Sequence, residues 1–588
     1  MVFSPRILLL VSVLGPAGLA TSCSSPTKPP AEDAPVSIRW SRDPESLDPL
    51  GTPNQNASDA QVLLNASLLT VNPLTKKYEP FLAANFPTVR YEGNARTYLT
   101  YHLRPEAKWD TGNPITAADV VFTLKLFFCQ GVPNQRIQSG VAFVENITTD
   151  PTDPLTVTLI CRGKSPDYVT ASGDLPILRE AALDAEGALR KVSLEELRGQ
   201  GPARKNAELA SLQARIAARY QAAQPAQHPE NLGAAGPYSL KEYQRDRRLV
   251  FVRKKNWWGA KFNQSPIFAA KASQLVFVIV PNESTASLAL TNGQLDVFPG
   301  VPARVFERLQ KSAASREKLA FYTSPTYEIM TAGFNTSRPA LSDARTRVAL
   351  SHLFDAEQLN QASQLGKGVR TVGLISPEQK QNYNDSLELL NYNPNLASRL
   401  LTEAGWRRNA AGWQRQRGKE PAQELRLQLR YRAGESNYEL VALQFASAAR
   451  SLGIPVSLSP TESAVLRSQL QQGEYDVYVQ SIKGNPFLFN LLPLFGTQAI
   501  GEGNSTRFGT LQTDRLLEAA ATAESEQARA RLLRRIQVMM RQEMPIVPLY
   551  FVANRVVARR EVAGLNVTSL KPGYVAQTMY HQSLAAPL

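Results

Sequence analysis

Histidine and cysteine are scarce in this chain, with four and three among 588 residues. The histidines (His102, His228, His352, His581) are isolated and show no HExxH or comparable spacing, so no metal site is expected. There is no GxSxG elbow, no P-loop, no CxxC and no GxGxxG after a strand pattern. These absences remove the signatures of the common hydrolase, nucleotide and thiol-redox chemistries, and neither an enzymatic activity nor a cofactor is expected. No apolar run reaches the roughly 18–20 residues needed to span a bilayer, which excludes a polytopic membrane protein. No self-similar period of about 20–50 residues is visible, which sets aside solenoids and propellers.

What is present is ordinary globular material. Apolar residues make up 43% and charged residues 20%, and the length suits about four domains at roughly 150 residues each. The 40 prolines and 34 glycines are spread along the chain, which argues against collagen or bulk disorder. Basic residues exceed acidic ones by 65 to 51, a net charge of +14. The basic pairs Arg247–Arg248, Arg407–Arg408, Arg534–Arg535 and Arg559–Arg560 are scattered and sit near apolar stripes. They read as solvated surface, and no nucleic-acid partner is expected.

The N-terminus reads as an address. Met1–Arg6 carries one positive charge, Ile7–Leu14 is a short apolar core, and small residues lead to Cys23, so residues 1–22 are expected to be a secretory signal peptide. Ala20, Thr21 and Ser22 before Cys23 resemble a bacterial lipobox, although the aliphatic Leu19 stands four before the cysteine where three is usual. Residues 23–35 then form a polar, Pro-rich tether. Acylation of Cys23 would anchor the protein to a membrane, because each buried methylene contributes about 0.8 kcal/mol. The alternative is simple cleavage that leaves a thiol. Cys129 and Cys161 then remain as an even pair in an oxidising compartment. A bridge between them would close about 30 residues and stabilise by roughly 3–4 kcal/mol; two separate buried thiols is the other reading.

Along the mature chain, Thr97–Leu103 alternates as a strand, and Thr116 with Asp119 has capping-box spacing before a buried helix. Residues 180–228 are rich in Ala, Glu, Gln and Arg. In that stretch Ser193 and Glu196 form a second capping pair, and Leu209, Leu212, Ile216 and Tyr220 share one helical face. This predicts a helical insertion packed on a core. Leu249–Arg253 and Leu275–Val280 read as buried strands. Leu425, Leu427, Leu429 and Tyr431 alternate, Asn437–Leu452 is helical, Ile454, Val456 and Leu458 alternate again, and Tyr475–Ile482 adds another strand. The result is a β-α-β unit and an α/β lobe.

Several segments then occur in a familiar order. They are SLDP at Ser46–Pro49, AKWDTGNPITAADVVFTLK at Ala107–Lys125, GAAGPYSLKEY at Gly233–Tyr243, NWWG at Asn256–Gly259 and LTNGQLDV at Leu290–Val297. GFNTSRPALSDARTRVALSHLFD at Gly333–Asp355, LASRLLTEAGW at Leu396–Trp406 and MPIVPLY at Met544–Tyr550 complete the series. In this order the sequence resembles the family 5 solute-binding proteins of ABC importers, a group that includes peptide- and nickel-binding lipoproteins. The likeness covers about residues 36–560, nearly the whole mature chain.

The resemblance implies an α/β, two-lobed periplasmic-binding-protein fold of type II, in the large cluster with an extra subdomain, and a hinge between the lobes. Lobe I would combine residues 36–72, 172–284 and 545–588, with 73–171 as its extra subdomain and 180–228 as the helical insertion. Lobe II would be 285–544, with hinges near Pro281–Ser284 and Met544–Pro548. In peptide-binding members the strand after the Asp476-like position pairs with the ligand backbone, which maps onto Ser481, Ile482, Lys483 and Gly484. The loop after LDP maps onto Gln55 and Asn56. The acid that such members carry shortly beyond that strand is missing here, where SIKGNPFLF follows without a carboxylate. An ammonium buried without a counter-charge is costly, so recognition of a free α-amino group in the usual way is not expected; Lys483 reads first as a solvent-facing lysine, with a site for an anionic group as the alternative. The implied protein is a monomeric, lipid-anchored, extracytoplasmic binder of peptides or peptide-like solutes. Its partners would be two ABC permease subunits with cytoplasmic ATPases. A non-peptide solute (sugar, opine or anionic compound), or a sensor or chaperone role without transport, are the alternatives.

Overall fold

The computed structural model describes residues 34–582 apart from 52–53, 134, 200–205, 411, 417, 419–420 and 488–489. The signal peptide, Cys23 and nearly all of the tether lie outside the described residues.

Among the described residues one mixed sheet of eleven strands runs through the molecule. In chain order they are β1 (Val36–Trp40), β2 (Tyr238–Gln244), β3 (Arg248–Arg253), β4 (Gln274–Ile279), β5 (Val297–Pro299) and β6 (Leu319–Phe334). They continue with β7 (Val369–Arg370), β8 (Leu427–Arg432), β9 (Val456–Thr461), β10 (Val477–Lys483) and β11 (Ile546–Arg559). Across the sheet the order is β9-β8-β10-β6-β11-β5-β1-β4-β3-β2, with β7 on β11. The helices that matter below are α1 (Gln55–Leu64), α2 (Ala117–Leu126), α3 (Asn206–Ala222), α4 (Ser436–Ser451) and α5 (Ser463–Gln472).

The alternating segments form as their patterns predict. β8, α4 and β9 make the β-α-β unit, with β9 and β10 both parallel to β8. Leu427, Leu429 and Tyr431 point into a core with Phe445, Trp406 and Val479. On the other side of the molecule β1 runs parallel to β4, and Val36, Ile38, Trp40, Phe251 and Phe277 form the core there. The two-lobed α/β fold is thus one sheet with two separately packed ends.

Two strands join those ends. β6 pairs antiparallel with β11 from Leu319↔Arg559 to Gly333↔Ile546, and the register shifts between Pro325 and Ile329. Pro325 lacks a ladder donor and is tolerated at such an irregularity. Thr326–Glu328 therefore form the crossing, with Ala553 to Phe551 beside them. This corrects the expected boundaries. Residues 285–323 are expected in lobe II, yet Val297 pairs with Ile38 of β1, and Leu290, Phe298, Phe306 and Leu319 pack on Val557. Likewise Ile546 and Val547 pair with Gly333 and Ala332 inside lobe II, so the second crossing comes after Met544–Pro548.

The subdomain is a four-stranded antiparallel sheet (Thr88–Glu92, Arg96–His102, Thr156–Arg162, Val144–Thr149) against α2. The Asp119 carboxylate accepts from Thr116 N–H at 3.0 Å and from Glu180 N–H at 3.0 Å, so the cap also ties the helix to the insertion. Leu194, Leu197, Leu212, Ile216 and Tyr220 of the insertion join this same core. Cys129 and Cys161 are buried here as two thiols with no disulfide between them, which corrects the bridge weighed from sequence. Burial pushes both thiols up to about 12, keeping them protonated and unreactive.

Candidate ligand cleft

The parallel strands of both halves end toward the region where the lobes meet, and ligands of open α/β sheets bind outside such carboxyl ends. On the lobe II side, β8 accompanies β10 only as far as Tyr431↔Val479. Gln480 to Lys483 keep β6 on one flank, from Thr331↔Gln480 to Glu328↔Lys483, and have no strand on the other. Beside this edge Ser481 Oγ donates to Glu328 Oε1 at 2.6 Å and shares a 2.9 Å hydrogen bond with Tyr438 Oη. A cavity of about 380 Å3 lies next to it, lined by Arg432, Tyr438, Arg467, Ser481 and Glu502.

The lobe I wall is a second cavity of about 370 Å3 between α1 and residues 570–577. Gln55, Asp59, Phe277, Lys571 and Tyr574 line it. α1 starts where Asn54 Oδ1 accepts from Ala57 N–H, and the preceding loop is clamped by Asp43, whose carboxylate accepts from Glu45 N–H at 2.7 Å and Asp246 N–H at 2.8 Å. Gln55 Nε2 donates to Asp59 Oδ1 at 2.8 Å. Burial pushes the Asp59 carboxyl up to about 7, against the pull of Gln55 and the Lys571 charge. Lys571 links the two walls: burial lowers its pKa first, then the Lys483 ammonium, while Glu328 and Asp59 oppose the shift.

The predicted site residues divide. Gln55 faces the lobe I cavity, whereas Asn56 Nδ2 donates to Arg42 O at 2.6 Å and braces the loop. Ser481 and the exposed Lys483 lie at the open edge. The Ile482 side chain turns the other way and packs on the lobe II core that contains Phe495 and Leu533. Gly484 N–H is taken by Tyr327 O at 2.8 Å. Asp476 holds strands together, accepting from Gln428 N–H at 2.8 Å and pairing with Arg338 at 3.4 Å. Sequence reasoning missed Asp59, Glu328, Tyr438, Lys571 and Tyr574, which no local motif marks. Among the described residues no group of three or more His, Cys, Asp or Glu could hold a metal ion.

The lobes touch around these walls. Glu378 Oε2, from lobe II, pairs with Lys76 at 2.6 Å and accepts from Ser569 Oγ at 2.9 Å. Lys164 meets Glu524 at 2.9 Å, and the Tyr78 and Phe487 rings lie 4.9 Å apart. The lobes are thus in contact at these residues.

Comparison with known proteins agrees with this architecture. Residues 77–497 match the model of the bacterial extracellular solute-binding proteins, family 5 Middle. The chain is 24% identical over 509 residues to the periplasmic murein peptide-binding protein MppA of Escherichia coli (strain K12), covering 84% of each. It is 22% identical over 493 residues to the dipeptide-binding protein of the same strain, covering 81% of this chain and 82% of that one. Among solved structures, NikA from Brucella suis in complex with Fe(III)-EDTA superposes with a TM-score of 0.70 at 20% identity, over 94% of this chain and 100% of that one. The oligopeptide-binding protein AppA from Bacillus subtilis in complex with a nonapeptide gives 0.64 at 17% identity, over 94% and 99%.

Proposed function

Because this chain belongs to family 5 of the bacterial extracellular solute-binding proteins, we propose that it captures peptides or peptide-like solutes outside the cytoplasm and delivers them to an ABC importer. The observation that carries the reading is the open flank of β10. Gln480 to Lys483 lack a strand neighbour on one side, next to a cavity, so an extended backbone can add there as a further strand. Main-chain pairing gives affinity with little demand on sequence, which suits a scavenger of mixed peptides. The curated relatives named for murein peptides and dipeptides cover most of the chain and support the same substrate class. Delivery would engage two permease subunits powered by cytoplasmic ATPases, with the protein held at the membrane by acylated Cys23.

Native mass spectrometry of protein purified from its own cells tests the substrate: trapped masses that fragment as peptides support the reading, and a trapped sugar or metal chelate overturns it. Cys23→Ser should move the protein from the membrane to the soluble fraction. A wild-type protein that is already soluble and unacylated would remove the anchor.

A further inference from the structure

The acid missing after β10 has a counterpart on the opposite wall. Asp59 sits in the second turn of α1 and faces the 370 Å3 lobe I cavity. Its Oδ1 is taken by Gln55, and among the described residues no donor meets Oδ2 and no cation stands within ion-pair distance. Phe277 supplies an apolar wall to the same cavity, and the buried Tyr574 hydroxyl is occupied by Trp40 Nε1 at 3.4 Å. A carboxylate in such surroundings lacks a cation the size of an ammonium. The cavity also carries the opposite sign. Lys571 lines it, the Lys483 ammonium of lobe II acts on Lys571, and among the described residues neither lysine has a carboxylate within ion-pair distance. The neighbouring Glu328 is already held by Ser481 at 2.6 Å.

On the peptide reading above, we propose that Asp59 is the counter-charge for the ligand's α-ammonium, seated in the lobe I cavity, and that Lys571 and Lys483 receive the ligand's carboxylate. The cleft then selects short zwitterionic peptides, with the amino terminus turned toward lobe I instead of toward the end of β10. This replaces the expectation that a free amino group goes unrecognised. The raised Asp59 pKa of about 7 fits, because the charge of an empty site is relieved by a proton and that of a filled one by the ligand. Gln55, Lys571 and Tyr574 interact with it, and Asp174, whose carboxyl burial also raises, lines the same cavity. Ligand arrival should therefore expel a proton near neutral pH.

The test titrates a mixed pool of unprotected tripeptides, and the same pool N-acetylated, against wild type and Asp59→Asn by native mass spectrometry. Wild type should bind the unprotected pool at least tenfold more tightly, with affinity rising from pH 6 to pH 7.5. In Asp59→Asn the preference should shrink to threefold or less and the pH dependence should vanish, while binding of the acetylated pool stays within threefold. Lys571→Met should weaken the unprotected pool more than its C-amidated form. Equal binding of the two pools to wild type, or a tenfold preference that survives in a folded Asp59→Asn protein, overturns the inference and leaves the peptide reading standing. Binding of neither pool overturns the peptide reading itself, and the inference with it.

Discussion

The lobe II wall of the cleft presents the unpaired flank of β10 at Gln480–Lys483, flanked by Arg432, Tyr438, Arg467 and Glu502; the lobe I wall is gathered from residues 55–67, 174–176 and 570–577 and has no such strand edge. Strand pairing is indifferent to side-chain identity, whereas on the proposed reading Asp59 and Lys571 would impose a charge pattern on a bound ligand. That reading combines a tolerant wall with a selective one. Selectivity changes should follow substitutions in lobe I, and uniform losses should follow damage to lobe II.

The largest expected effect tests the lobe I side. The Phe277 ring stacks on Trp40 at 4.2 Å, meets Phe251 edge-on at 5.6 Å and borders the cavity. Phe277→Ala should cost about 3–5 kcal/mol in denaturant unfolding, because the stacked neighbours cannot fill the void. A loss below about 1 kcal/mol would show this wall to be loosely packed.

A pair of tyrosine substitutions compares the supports of the two walls. Tyr220, on α3 of the insertion, donates its hydroxyl to the Asp48 carboxylate of the SLDP turn, and Leu47 N–H reaches Ala226 O at 2.9 Å. The insertion thereby braces the loop that leads to α1. Tyr220→Phe leaves a buried carboxylate short of a donor and should cost about 1–3 kcal/mol. Tyr438→Phe, in lobe II, removes a half-buried hydroxyl bonded to Ser481 and should cost about 0.5–1.5 kcal/mol. Equal thermal shifts for the two would erase the difference claimed for the insertion.

The pH dependence of the unliganded protein gives a third contrast. The folded pKa of Asp59 is raised to about 7, above the unfolded carboxylate value, so the folded state holds the extra proton. Its contribution to stability should fall as pH rises from about 4 to 7, by at most about 1.4 kcal/mol per unit, and level off beyond. Burial sets the midpoint, and the Gln55 hydrogen bond and the Lys571 charge pull it back. Asp59→Asn should flatten that stretch of the stability profile, and an unchanged slope would place the titration elsewhere.

The smallest effect concerns the contact between the walls. The side chains of Lys76 and Glu378 are 27% and 30% exposed, so solvent screens their pairing. Glu378→Gln should cost about 0.2–1 kcal/mol of closure, raising the open fraction no more than about fivefold, as small-angle scattering would register. A fully opened variant would make Glu378 a latch of a different order.

Much of the frame was legible because it is local. β8 and β9 followed from period-two alternation, α2 and the helix at Leu194–Leu197 from their capping boxes, and the packed face of α3 from Leu212, Ile216 and Tyr220. Ser481, Ile482, Lys483 and Gly484 came instead from the family resemblance; the structure puts Ser481 and Lys483 where β10 has no strand on one flank, and because side chains alternate along a strand it turns Ile482 into the core. The crossings expected from the resemblance moved because β6 and β11 each run as one strand from one half into the other. Only the register shift after Pro325 marks the place.

By itself, then, the sequence determined the α/β class, the order of elements and the helical insertion, all consequences of interactions between near neighbours in the chain. The tertiary structure decided what lies opposite the open edge of β10. Asp59 and Lys571 are separated by most of the sequence, and Glu328 meets Lys483 only through strand register. Charges act through space, and their distances are set by how distant segments pack, so no spacing along the chain could have announced them.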